Sequence, residues 1–316
     1  MITISVCMIV KNEEKILGRC LDCLKDIGDE IVIVDTGSED ATKEVAKRYT
    51  DRIYDFRWVD DFAKARNFAF GLCSMDYIFS ADADEIMDEK NIEAFRQLKE
   101  VLLPEIDIVQ MVYKNQLEYN TTYNFDSELR PKLYKRVRNF VWEGSVHEAV
   151  RLDPVIYDSD IEIIHKPQGL HSKRDFGLFT RTLEREGDLD DRLVRMYARE
   201  LAVSGTDEDF REAAPYFLKL VEKETDENDL KEDLFVLMRA FRTKGDKEKF
   251  CKYALRAAAL GACSETAFEL GEYFRENKDE EEAGIWYYNA AYETEPLLCS
   301  KYAGEYPQRY LEKRGL

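Results

Sequence analysis

Tyr77-Ile78-Phe79-Ser80-Ala81-Asp82-Ala83-Asp84-Glu85 is an apolar run of strand type that ends abruptly in carboxylates. In an extended backbone, residues two apart point to the same side. This reading turns Asp82 and Asp84 toward one point while Ala83 faces away. Two converging carboxylates repel unless a cation lies between them, and hard oxygen ligands suit Mg²⁺ or Mn²⁺. A pair at the carboxyl end of a strand also stands where open α/β sheets bind ligands. D-x-D is common in acidic chains, and an aspartate at a strand end can equally cap the next helix. The segments around it decide between these readings.

Working outward, Ile2–Val10 reads as a buried strand, Lys11-Asn12-Glu13-Glu14 breaks it, and a helix is predicted from about Glu13 to Ile27. Glu30–Asp35 (EIVIVD) is a second buried strand ending on a carboxylate, followed by a Thr36-Gly37-Ser38 turn and a helix over Asp40–Tyr49. A short strand at Arg52–Phe56 and a helix at Phe62–Cys73 lead into the Asp82–Asp84 strand. Such strand–helix alternation predicts a parallel sheet with helices on both faces. After a helix over Asn91–Val101, the runs Ile106–Val112, Leu129–Lys135 and Asp160–Ile164 look like isolated strands that extend a mixed sheet.

From about Lys173 onward strand patterns vanish and amphipathic helices continue to the end. Leu270-Gly271, Phe274, Ala283, Tyr287, Ala290 and Pro296 have the spacing of a tetratricopeptide helix pair. Phe250, Ala254 and Ala257 precede Ala283, Tyr287 and Ala290 by 33 residues, and Ala214, Leu218 and Val221 form a poorer copy upstream. The alternative is an irregular helical bundle. The expected organisation is residues 1–172 as an α/β domain and 173–316 as an all-α, tetratricopeptide-like domain.

At 316 residues and 45% hydrophobic content the chain is long enough for two domains with good cores. A net charge of −19 argues against general nucleic-acid affinity and against adsorption to anionic membranes. No stretch reaches the roughly 18 apolar residues of a membrane span, and no basic-then-apolar leader is present. The chain therefore reads as soluble and cytoplasmic. Seven cysteines show no disulfide spacing, and Cys20-x-x-Cys23 lies on a predicted helix beside Ile16, Leu17 and Leu24, where core packing is the simpler role.

Several polar residues could carry chemistry. Asp35 follows an apolar strand and can accept hydrogen bonds from a nucleobase or ribose, or bond its own turn. Asn12 and Glu13 occupy the matching place on the neighbouring strand. Arg66, on the Asp61–Asn67 helix segment, can bond a diphosphate or a carboxylate, or simply sit on the surface. The three histidines, His147, His165 and His171, fall close together. His147 and Glu148 follow Trp142-Glu143-Gly144-Ser145-Val146, where glycine permits close backbone approach to a ligand. A glutamate beside a metal–diphosphate site can act as a general base, and a histidine ending the Ile161–Ile164 strand can be a metal ligand. Arg130, Lys132, Lys135, Arg136 and Arg138 suggest a strand with one basic side, suited to a donor's phosphates, to an acidic acceptor, or to local charge balance.

Cys7–Glu14, Val34–Asp40, Asp61–Asn67, Ala81–Glu85 and Trp142–Glu148 occur in the order and spacing found in the inverting GT-A glycosyltransferases of family 2, which this chain resembles over Ile2 to about His171. The resemblance implies a Rossmann-like, mostly parallel mixed sheet and a hexosyltransferase activity with a UDP-sugar donor. The helical-tailed branch of that family, which the chain resembles, includes enzymes that glycosylate peptides, flagellins and surface proteins, some with tetratricopeptide-like domains. It implies that the backbone around Val10, with Asn12, Glu13 and Asp35, holds the uridine, and that Arg66 touches the diphosphate. Asp82 and Asp84 match the metal-positioning D-x-D motif, with Mn²⁺ or Mg²⁺ as the ion. His165 matches the late histidine of the metal shell, with His147 the alternative. Glu148 matches the base, although His-Glu stands here where the family has Glu-Asp. A protein or peptide acceptor, and self-association through the helical domain, complete these expectations. A sugar nucleotidyltransferase would favour a glycine-rich loop near the start, and Met8–Glu14 has none. A repeat scaffold with a degenerate transferase domain would not need Asp82, Asp84 and Glu148.

Overall fold

Ile4–Val10 forms strand β1, apolar and buried along almost its whole length. It pairs in parallel with β2 (Glu30–Asp35) on one side and β4 (Tyr77–Ala81) on the other. The computed structural model describes residues 1–114, 127–144, 149–150, 153–167 and 172–315. A third parallel neighbour, β3 (Ile53–Asp55), lies outside β2. Beyond β4 the sheet becomes mixed, with β7 (Glu128–Lys135) antiparallel to both β4 and β6 (Ile108–Lys114). Strand β10 (Ile156–His165) runs parallel to β6 and carries the short antiparallel β5 (Glu85–Ile86) at its end. Strand order is β3-β2-β1-β4-β7-β6-β10-β5. A regular α/β winding followed by a mixed extension is what the sequence predicts.

Alternation along these strands sends side chains to two cores. Ile4, Val6, Met8 and Phe79 pack against Leu17, Cys20 and Leu21 of α1 (Leu17–Leu24) and Phe95 of α4 (Glu89–Val101). On the other face Cys7, Val32, Val34 and Ile78 meet Ala69 and Phe70 of α3 (Phe62–Leu72), with Tyr134 and Trp142. Each fully buried large side chain contributes about 1.5–3 kcal/mol. Cys20 is buried within this core, as the sequence suggests.

Two boundaries differ from expectation for local reasons. Helix α1 starts at Leu17, not Glu13, because Asn12 takes a positive φ of 57° and Glu13–Ile16 closes a turn, with Ile16 N donating to Glu13 O. Strand β10 begins at Ile156, well before Asp160. Its first residues are exposed, and a register shift between Asp158 and Glu162 breaks the alternation that would reveal a strand.

Packing separates this unit from a second, all-helical one. Its helices are α5 (Ser172–Glu186), α6 (Asp191–Ser204), α7 (Asp207–Leu220), α8 (Glu227–Lys244), α9 (Lys247–Ala259), α10 (Ser264–Glu276), α11 (Glu280–Tyr288) and α12 (Glu305–Arg314). Aspartates cap many of them. Asp190, Asp226, Asp246 and Asp279 accept backbone N–H groups at four N-termini, so part of the negative charge ends helices. The tetratricopeptide-like positions lie inside: Phe250, Ala254 and Ala257 of α9, and Ala283, Tyr287 and Ala290 after α10, are buried. A Cβ on Gly271 would stand 3.0 Å from the Tyr287 ring, so glycine there lets α10 and α11 approach. Among the described residues no helix is long and apolar enough to cross a membrane.

Arg195 of α6 faces three carboxylates of α8: Asp229, Glu232 (3.2 Å) and Asp233 (2.6 Å). Burial pushes Glu232 up to about 7 and Asp233 up to about 6, against the pull of Arg195. Raised carboxyls stabilise the fold below their unfolded values and lose that contribution as pH rises through the folded ones. Helix α8 is therefore expected to lose on the order of 2 kcal/mol of protection between about pH 4.5 and 7. Amide exchange at pH 5 and pH 7.5 reads this, and Glu232→Gln should flatten the difference. An equal slope in that variant contradicts the assignment.

Candidate active site

In the parallel register Val10 lies beside Asp35 and Met8 beside Ala81, so β1, β2 and β4 end along one edge of the sheet. The loops that leave this edge are stitched together. Asn12 N donates to Ser38 Oγ (2.9 Å), Glu39 N to Asn12 Oδ1 (2.8 Å), and Glu13 N to Thr42 Oγ1 (2.7 Å). The Val10 carbonyl accepts from Thr36 N. Val10, Asn12 and Glu13 thus build the rim that frames Asp35.

Asp35 is 1% exposed. Its Oδ2 accepts from Gly37 N and Ser38 N, each 3.0 Å away, in a turn that Gly37 permits with φ 101°. Lys43 Nζ stands 3.6 Å from the same oxygen. Oδ1 is buried and takes no hydrogen bond. An unpaired buried acceptor costs about 1–3 kcal/mol, and a donor group from a ligand would relieve it. The turn reading of Asp35 therefore holds for Oδ2, and Oδ1 is left over by that turn.

The carboxylates after β4 depart from the sequence argument. The strand stops at Ala81, and Glu85 N donates to Asp82 O (3.1 Å), so Asp82–Asp84 is a turn and not an extended segment. The two side chains therefore diverge. Asp82 faces Arg66 (3.5 Å) and Lys132 (3.7 Å), while Asp84 Oδ2 lies 3.0 Å from His165 Nε2. Desolvation by its neighbours opposes ionisation of Asp82, yet Lys132 and Arg66 outweigh it and hold the carboxyl well below the usual range. The turn is held from beneath by Cys20 Sγ, which donates to Asp82 O (3.3 Å), and from the side by Lys166 N, which donates to Asp84 O (2.8 Å).

Arg66 also donates to Ser80 Oγ (2.6 Å) and lies over the Trp142 ring, 4.9 Å from its centroid. The next residue makes a two-way bond: Asn67 Nδ2 donates to Trp142 O (2.9 Å) and Trp142 N to Asn67 Oδ1 (2.8 Å). Arg66 is thereby linked to β8 (Trp142–Glu143), which leads in the chain to Glu148. Glu148, His147 and His171 lie outside the described residues.

The five-cation row divides. Lys135, Arg136 and Arg138 reach Pro104 O, Met75 O and Asp107, while Lys132 turns inward. A bulge causes this: Val109 pairs with Leu133 and Gln110 with Pro131, so Lys132 is the extra residue on β7 and is re-aimed. Its ammonium donates to Glu85 Oε1 at 2.6 Å, and both side chains are buried. Burial raises Glu85 to about 7 against the pull of Lys132. Tyr113, which no motif flagged, lies under Arg130 (4.2 Å) and beside the His165 ring (5.4 Å).

Residues 5–152 match the family model described as Glycosyl transferase family 2. This part of the chain is a family 2 glycosyltransferase domain. A TPR repeat-containing protein of Synechococcus elongatus is 40% identical over 102 residues, 32% of this chain and 25% of that protein. The lipopolysaccharide core biosynthesis glycosyltransferase LpsC of Rhizobium meliloti is 36% identical over 108 residues, 33% of this chain and 38% of the relative. The chain thus spans well under half the length of these two relatives. Among solved structures, glucosyl-3-phosphoglycerate synthase from Mycobacterium tuberculosis is similar with a TM-score of 0.42 at 14% identity, over 60% of this chain and 82% of that one. The glycosyltransferase domain has the GT-A architecture expected from the sequence, a mixed sheet followed in this chain by helices.

Within this glycosyltransferase domain, no group of three or more His, Cys, Asp or Glu side chains among the described residues makes a metal cage. Asp84 and His165 fit an ion that takes two protein ligands and most of its shell from phosphate oxygens and water. Lys132→Met removes the partner of a buried carboxylate and is expected to destabilise the domain by about 3 kcal/mol. A thermal midpoint within a degree of wild type would show that Glu85 has another counter-charge.

Proposed function

We propose that this chain is an inverting glycosyltransferase that moves a sugar from a UDP-sugar to a hydroxyl of a protein or peptide. The observation that carries the reading is the divided turn after β4, with Asp82 under two cations and Asp84 beside His165, on the same sheet edge as an unpaired Asp35 oxygen in a family 2 domain. Asp35 Oδ1 accepts from the uracil or ribose, and the Val10–Glu13 loop closes around the nucleoside. Asp84 and His165 hold Mn²⁺ or Mg²⁺, which supplies positive charge to the leaving diphosphate when bound. Arg66 and Lys132 add fixed positive charge in the same region and keep Asp82 ionised and oriented.

Glu148 acts as the general base. Its carboxylate takes the acceptor's proton as the oxygen attacks the anomeric carbon from the face opposite the departing UDP, so one displacement inverts the configuration. Residues 1–172 hold this machinery, and residues 173–316 present the acceptor. Lipopolysaccharide core synthesis by the Rhizobium relative favours a second reading in which the accepting hydroxyl belongs to a glycan.

Titration calorimetry with UDP tests the donor half of the proposal. Binding is expected with Mn²⁺ and should fall at least about tenfold in EDTA. Equal affinity in both, or no binding at all, contradicts it. Offering a glycan and a peptide library to the loaded enzyme then separates the two acceptors.

A further inference from the structure

Helix α11 is apolar on two sides. Ala283, Gly284 and Tyr287 face inward and are buried. Outward, Ile285 (49% exposed), Tyr288 (49%) and Tyr292 (57%) follow at intervals of three and four, the spacing of a helix-pairing stripe. The helix runs on into a π turn over Asn289–Glu293, which carries Tyr292 with its ring 4.9 Å from that of Tyr288. A groove of about 400 Å³ lies beside this stripe, lined by Glu280, Glu281, Ile285, Tyr288, Asn289 and Leu311. A helix with apolar residues on two sides ordinarily has partners on both, and here no described residue covers Ile285, Tyr288 and Tyr292, which stay about half exposed.

The charge around the groove selects what can fill it. Asp279, Glu280, Glu281 and Glu282 precede the stripe and Glu293 and Glu295 follow it, with no lysine or arginine between Asp279 and Ser300. Glu280 is met by Tyr310 and Arg314 of α12 and Arg309 by Glu305, so along and beside these two helices Lys278, Lys301 and Lys313 stand against Asp279, Glu281, Glu282, Glu293, Glu295 and Glu312, and the field stays acidic. A second copy laid on this face would oppose acid to acid. An apolar helix with cationic ends matches both the stripe and the charge.

We propose that the α11–α12 groove is a docking site for an amphipathic, cationic helix of a partner protein, with its apolar side chains on Ile285, Tyr288 and Tyr292 and its lysines or arginines at the acidic ends. The site lies wholly within the helical unit and does not depend on the donor chemistry.

A fluorescein-labelled amphipathic leucine–lysine helix tests this against its leucine–glutamate counterpart, by anisotropy with the full chain. The cationic probe is expected to bind at least about tenfold tighter, and Ile285→Asp with Tyr288→Asp should weaken it about tenfold or more. Glu281→Lys with Glu282→Lys keeps the stripe intact and should weaken it similarly. Glu208→Lys with Glu212→Lys, on α7, is the charge control and should leave affinity within about twofold. Circular dichroism confirms that each variant stays helical. Equal loss in the α7 control, unchanged binding in either groove variant, or no preference for the cationic probe overturns the proposal. So does a sedimentation mass above the monomer that Tyr288→Asp returns to the monomer, because the occupant would then be a second copy.

Discussion

Asp84→Ala is expected to lower UDP-sugar turnover by about 10³-fold, the upper scale for removing one preorganised electrostatic group. Among the described residues Asp84 meets His165 at 3.0 Å and no lysine or arginine, so its loss empties the proposed ion site without stranding a buried charge there. Thermal stability should stay close to wild type while Mn²⁺ no longer tightens UDP binding. Asp82→Ala should behave differently. Its carboxylate separates Arg66 from Lys132, and without it two cations face each other across the turn. That variant should lose turnover and also melt earlier. Midpoints and UDP affinities of the two variants decide the matter: identical behaviour would mean that the carboxylates share one role after all.

Glu148→Gln is the second large effect. Losing a general base slows transfer by about 10²-fold or more, whereas UDP affinity should persist because glutamine keeps the size of the side chain. Turnover falling with donor affinity unchanged identifies a residue that acts on the acceptor. A weakened UDP complex with surviving turnover moves the base elsewhere, and the His-Glu order found here in place of Glu-Asp makes the comparison worth running first. The Asn67–Trp142 bond offers a companion measurement. Asn67→Ala should slow turnover through the strand that leads to Glu148, without contact to the donor.

Much of this arrangement is legible in the chain because it is local. Strands β1, β2 and β4 are continuous apolar runs, since parallel strands are covered on both faces, and each ends on the polar residues that line the edge. The buried positions of α9, α10 and α11 follow small and aromatic residues at helical spacing. What the sequence hides depends on partners far along the chain. The Asp82–Asp84 turn looks extended until the Glu85 side chain, Lys132 and His165 are placed around it. Lys132 looks like one cation in a basic row, and only the register of β7 against β6 shows the bulge that turns it inward. Tyr113 carries no motif, and its place between Arg130 and His165 comes from β6 lying between β7 and β10. The unpaired Asp35 oxygen is likewise invisible until the turn has taken the other one.

The central claim is that this edge of the sheet breaks the bond between a sugar and UDP. Mixing the full chain with Mn²⁺ and a panel of UDP-sugars, and measuring released UDP, tests it most directly. The account predicts UDP release from at least one donor by the wild-type chain, suppressed by EDTA and by Asp84→Ala, and faster when the acceptor is supplied. Release that is indifferent to both EDTA and Asp84→Ala, or no release from any donor with acceptor present, would contradict it.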